Sequence, residues 1–69
     1  MDIEKMTKQL EATEKGIVIL QGVIEGTEKK RGDIHPVLYF SMINCYNQLI
    51  GELRAEAGTY RKELGIERD

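Results

Sequence analysis

The sequence predicts an all-α protein, an antiparallel hairpin of two long helices. Three observations predict it: a heptad pattern of apolar-compatible residues in the first half, a His-Pro start to the second half, and an amphipathic stripe that runs from there to a closing glycine. The helices are expected at about residues 3–31 and 36–64, with a turn at 32–35. The 69 residues are expected to form one helical-hairpin domain, residues 1–69.

The first helix is predicted by a seam whose positions recur in alternating steps of three and four. Asp2 can serve as the N-cap by accepting a hydrogen bond from the first turn. The basic run 29–31 suits the negative end of the helix dipole, and Gly32 is expected as the left-handed residue that ends the helix. The seam positions are Ile3, Met6, Leu10, Thr13, Ile17, Leu20, Ile24 and Thr27.

The segment GIVILQGVIEG, residues 16–26, has two interpretations. Each interior glycine costs a helix about 1 kcal/mol, and the β-branched residues together with a Gln-Gly turn would also suit a β-hairpin. The seam continues through the segment in phase, and the sequence offers no further strand for such a hairpin to pair with. Helix is therefore favoured over β-hairpin, and the glycines outside the seam could allow another helix to approach closely.

The second helix is predicted to begin at Pro36, with His35 or Asp33 at or near its cap. Gly65 is expected to end it in a Schellman motif, with Ile66 packing back toward Tyr60. One apolar stripe at helical spacing runs along it. Its members are Tyr39, Met42, Ile43, Tyr46, Leu49, Ile50, Leu53, Ala57, Tyr60 and Leu64.

Residues 34–51 contain no Asp, Glu, Lys or Arg, although an exposed helix normally carries charge. Depletion of charge is typical of the core of a subunit interface. The second helix is therefore expected to contact another subunit as well as the first helix. A dimeric four-helix bundle is the simplest closed assembly, and a larger helical oligomer is the alternative. The predicted interface residues are Tyr39, Ser41, Met42, Asn44, Tyr46, Gln48 and Leu49.

Composition restricts the partners. The net charge of −2 is spread evenly along the chain, which is not typical of a protein that grips nucleic acid, although Lys29, Lys30 and Arg31 are candidate phosphate contacts. No signal peptide or apolar run of about 20 residues is present, so a cytoplasmic protein without a membrane partner is expected. A chain this short usually needs a disulfide, a metal or another subunit for stability. One cysteine allows no internal disulfide, so another subunit is expected to supply the missing burial.

Catalytic, cofactor and metal sites are not predicted. His35 has no histidine or cysteine companion and is expected to serve at the helix start. Cys45 is expected to be an inert thiol in the core. A phosphate-binding glycine loop and a nucleophile elbow are both missing from the sequence, so a protein without enzymatic activity is expected.

The second half, IHPVLYFSMINCYNQLIGELRAEAGTYRKELGI, contains His-Pro, a long amphipathic helix with Leu-Arg and a closing Glu-Leu-Gly-Ile. It resembles the C-terminal part of the phage terminase small-subunit family, and the upstream GIVI resembles the apolar stretch before the family's His-Pro. The resemblance covers at most residues 16–68, and the chain is shorter than most members and lacks their Thr-Pro-Ser-type tail.

The resemblance implies a phage or mobile-element protein that forms rings and recognises DNA for packaging, with His35 and Pro36 in structural roles. The residues themselves favour a small helical module that binds copies of itself or another protein. The alternative is a DNA-binding or packaging protein.

Overall fold

A computed structural model of the chain describes residues 2–66. Helix α1 spans Ile3–Lys29 and helix α2 spans Pro36–Leu64, with a single 3₁₀ turn at Arg31–Asp33 between them. The two helices pack against each other along the hairpin, and residues 2–66 contain no strand. The predicted all-α hairpin is confirmed, and the β-hairpin alternative for residues 16–26 is excluded because α1 runs through them.

Three of the predicted helix ends are confirmed. The Asp2 carboxylate accepts a hydrogen bond from the backbone N–H of Lys5 at 3.2 Å. At the start of α2, Nδ1 of His35 accepts from the N–H of Val37 at 3.2 Å, and Pro36 occupies the first helical position. His35, rather than Asp33, is therefore the cap.

The end of α2 is a complete Schellman motif. Gly65 adopts φ 73°. This left-handed conformation is sterically unfavourable for any residue that has a Cβ atom. Its N–H donates to the carbonyl of Lys62 at 3.2 Å, and the N–H of Ile66 donates to that of Arg61 at 3.0 Å. Ile66 then lines a shallow surface hollow with Leu10 and Arg61.

The turn differs from the prediction. Helix α1 ends at Lys29, two residues before the expected boundary, and Gly32 is not a left-handed terminal residue. The N–H of Lys30 donates to the carbonyl of Thr27 at 3.1 Å, and the N–H of Asp33 donates to that of Lys30 at 2.9 Å. These tighter bonds satisfy carbonyls at the helix end without a residue at positive φ, so the prediction for Gly32 was wrong.

The core lies along the α1 seam and the α2 stripe. Both buried threonines satisfy their hydroxyls locally, since Thr13 donates to the carbonyl of Gln9 and Thr27 to that of Val23, each at 2.8 Å. Ile3, at the start of the seam, is exposed, so the seam is confirmed in its centre and not at its first position. The buried residues are Leu10, Thr13, Thr27, Tyr39, Ile50 and Ala57.

This core is thin. Among residues 2–66, Ala57 is fully covered, and no larger side chain is. The principal extents are 47 × 20 × 16 Å. The radius of gyration is 15.2 Å, against about 11 Å for a compact domain of this length. Each helix covers one side of the other, so the remaining sides of both face solvent.

Candidate interaction surface

Helix α2 carries a second apolar stripe outside the core. Leu38, Met42, Cys45 and Leu49 follow one another in steps of four, three and four. At 3.6 residues per turn these positions fall within about 60° of one another. Leu38 is 59% exposed and Leu49 is 41% exposed, Cys45 is exposed and Met42 is half-buried.

Helix α1 adds two exposed apolar residues that follow Gly16 at helical spacing. Ile19 and Val23 follow Gly16 in steps of three and four, and they are 66% and 38% exposed. Gly16 lies close to α2, because a methyl group at its Cα would be 3.3 Å from Cδ1 of Leu53. Leu53 follows Leu49 by one helical turn. We call the combined surface the apolar edge. It consists of Ile19, Val23, Leu38, Met42, Cys45 and Leu49.

The opposite side of the hairpin is polar. Arg61 donates to the carboxylate of Glu14 at 2.7 Å, which ties the last turns of α2 to the first half of α1. Arg54 lines a hollow beside this pair together with Val18. Both members of the pair are partly exposed, so the pair contributes no more than about 1 kcal/mol, and its main effect is on the register of the helices.

Charged residues are absent from the apolar edge and present at its two ends. Residues 16–24 and 34–51 contain no Asp, Glu, Lys or Arg. On α1, the stripe of Val23 continues in helical steps to Lys30 in the turn. On α2, the stripe of Leu49 continues to Glu52 and Glu56. The edge is therefore positive at the turn and negative near the middle of α2.

The seven predicted interface residues separate into three groups. Tyr39 is buried against α1, and Tyr46 is half-buried on the same side. Met42 and Leu49 belong to the apolar edge. The third group is exposed on the outer face of α2 and consists of Ser41, Asn44 and Gln48.

Ile19, Val23 and Leu38 did not emerge as interface residues from the sequence. A signal for them exists, because residues 16–24 lack charge and carry apolar residues outside the seam. The core prediction for Cys45 was wrong, since its thiol is exposed. The reason is angular: Cys45 lies about 120° around α2 from the direction of Tyr39 and Ala57, which face α1.

The basic turn presents two exposed lysines and one arginine that contacts aromatic rings. Lys29, Lys30 and Arg31 are all exposed. The guanidinium carbon of Arg31 lies 4.9 Å from the ring centroid of Tyr39 and 6.0 Å from that of Phe40. Such cation–π contacts stabilise by about 0.5–1 kcal/mol at exposed sites. Arg31 is thus directed at its own chain, whereas among residues 2–66 no side-chain hydrogen bond or ion pair involves either lysine.

Within residues 2–66, no group of three or more His, Cys, Asp or Glu side chains is arranged to hold a metal ion. In the same range, neither helix combines the length and the apolar character required to cross a membrane. Comparison of the chain with protein-family models, with curated proteins and with solved structures finds no match.

Proposed function

We propose that this protein is a non-enzymatic helical module that assembles with copies of itself and presents the assembled surface to other proteins. The observation that supports the proposal is the apolar edge. Its large aliphatic side chains are exposed, and they lie in two segments, residues 16–24 and 34–51, that contain no charged residue. Exposed apolar patches of this kind mark protein contacts. In a helical bundle, apolar stripes of this kind are buried between the helices.

The exposed area agrees with this proposal. The chain exposes 5421 Å². A folded monomer of 7.9 kDa is expected to expose about 4,400 Å². The excess of roughly 1,000 Å² is close to the ~800 Å² that one partner buries in a standard interface. Dimerisation would therefore bring the exposed area per chain near the value for a compact protein.

The direct test is the solution mass, measured by light scattering over a concentration series. We expect a dimer, with about twice the 7.9 kDa of one chain, or a larger closed oligomer. The helical content, followed by circular dichroism, should fall on dilution together with the mass, because a core this thin is marginal alone. A fully helical monomer at every concentration would overturn the proposal.

DNA binding is the second candidate, and the exposed Lys29 and Lys30 at the turn are the observation that favours it. Phosphate contacts from these lysines would make any DNA association strongly salt-dependent. The variant Lys29→Gln/Lys30→Gln should then reduce the salt slope by about 2. The control Lys5→Gln/Lys8→Gln removes the same charge from the far end of the hairpin. Equal slopes for the two variants would exclude a phosphate site at the turn.

A further inference from the structure

We propose that a second copy of the chain docks on the apolar edge in an antiparallel orientation, so that Leu38 of each subunit packs against Leu49 of the partner subunit. This inference rests on the proposed function of self-assembly and adds the surface and the orientation. It differs from the sequence-based expectation, which also included the outer face of α2 with Asn44 and Gln48.

The spacing of the α2 stripe is symmetric. Leu38 and Leu49 are equidistant from the midpoint between Met42 and Cys45. A two-fold axis through that midpoint would therefore place Leu38 opposite Leu49 and Met42 opposite Cys45, each contact occurring twice. The outer pair spans about 16 Å along the helix. A self-complementary patch of this kind is what a two-fold interface requires.

The charges at the two ends of the edge select the antiparallel orientation. Glu52 follows Leu49 by three residues, so the same axis brings it level with the partner's His35, which is three residues before Leu38 and follows the turn. Lys30 lies in that turn and continues the α1 stripe. The antiparallel arrangement therefore brings each Glu52 to the end of the partner subunit that carries Lys30. A parallel arrangement would oppose like charges at both ends, at a cost in affinity.

The α1 stripe completes the surface. Ile19 and Val23 are exposed and follow Gly16 on α1 at helical spacing, and Gly16 lies close to Leu53 of α2. Each subunit thus contributes both helices, and the dimer is a four-helix bundle with the edge at its centre. The polar side with Glu14 and Arg61 remains in contact with solvent.

Two variants of α2 with the same change in charge distinguish the candidate faces. Leu49→Glu places a carboxylate in the edge, and Gln48→Glu places one on the outer face. We expect Leu49→Glu to shift the solution mass to that of a monomer and Gln48→Glu to leave a dimer. Dissociation by Gln48→Glu would overturn the edge as the interface. A wild-type monomer would instead overturn the proposed function itself.

A charge exchange tests the orientation without altering the apolar side chains. Lys30→Glu and Glu52→Lys should each raise the dimer Kd by about tenfold, because each removes two symmetric pairs and creates like-charge contacts. The double variant should restore the Kd to within about threefold of the wild type, as expected for coupled residues. Additive losses in the double variant would overturn the antiparallel arrangement.

The native Cys45 provides a measurement on the unmodified sequence, which keeps the proposal testable if Leu49→Glu fails to fold. The proposed axis places the two exposed thiols about 5 Å apart along the helix direction. A short bis-maleimide, which adds one thiol across each of its double bonds, should link two chains at Cys45 at low protein concentration. Failure to cross-link a protein shown to be dimeric would overturn the proposed face.

Discussion

Gly16 of α1 faces Leu53 of α2 so closely that a methyl group on Gly16 would lie 3.3 Å from Cδ1 of Leu53. This distance is tighter than ordinary van der Waals contact, so the missing side chain lets the helices approach at this level. The ion pair between Glu14 and Arg61 lies nearby on the other side of the hairpin. The two contacts link α1 to α2 at the same level of the hairpin.

The first prediction concerns two glycines that are both within helices. Nothing lies within 4 Å of a methyl group at Gly51, so Gly51→Ala should raise the free energy of unfolding by about 1 kcal/mol through helix propensity. Gly16→Ala gains the same propensity but must displace Leu53, and we expect it to be less stable than Gly51→Ala by about 1 kcal/mol. Urea denaturation of both variants measures the difference. Equal stabilisation by the two substitutions would contradict the close approach at Gly16.

The Gly51→Ala variant also bears on the interface. Gly51 follows Gln48 on the outer face of α2, away from the apolar edge. If the outer face contacted another subunit, a methyl group there would disturb the contact. With the edge as the interface, Gly51→Ala should leave the solution mass unchanged, and light scattering on the same samples checks this.

The second prediction concerns the cap of α2. His35 accepts a hydrogen bond from the N–H of Val37 through Nδ1, so His35→Ala removes the side-chain acceptor and should lower the free energy of unfolding by about 1 kcal/mol. His35→Asp is the matched control, because its carboxylate can accept the same bond and suits the positive end of the helix dipole. Thermal unfolding followed by circular dichroism compares the two. A loss of stability in the Asp variant equal to that in the Ala variant would argue against a capping role.

The third prediction concerns pH. The hydroxyl of Tyr60 donates to the Glu56 carboxylate at 3.1 Å, and this hydrogen bond, aided by the charges of Glu56 and Glu63, raises the pKa of Tyr60 above its ordinary value of 10.0. A raised pKa in the folded state means that the bond stabilises the protein below the unfolded-state pKa. That contribution is lost as the pH rises through the folded-state pKa. Glu56→Ala should therefore lower the pKa of Tyr60.

The titration of Tyr60 can be followed through the NMR shifts of its ring. The variant Glu25→Ala is the control, because it removes a carboxylate that does not act on Tyr60 and should leave the midpoint of Tyr60 unchanged. An unaltered midpoint for Tyr60 in the variant would show that the hydrogen bond to Glu56 is not what raises the pKa.

The helices and most of their ends were predictable from the sequence because the interactions that create them are local. Asp2, His35 and Gly65 each act on backbone groups within one turn of themselves. The seam of α1 repeats at helical spacing, so it identifies the core side of that helix without knowledge of α2. The end of α1 was harder, because a left-handed glycine and a 3₁₀ turn both satisfy the last carbonyls, and Gly32 is compatible with either.

The sequence by itself therefore determined two helices, three of their four ends and the side of α1 that is buried. Only the tertiary structure decided which apolar residues of α2 remain exposed, because that depends on how α2 is rotated against a helix distant in sequence. Leu49 and Cys45 are apolar residues next to buried or half-buried ones in the sequence, and both are exposed in the hairpin. The rotation of one helix against another leaves no mark in local periodicity, since each helix alone offers more than one apolar side.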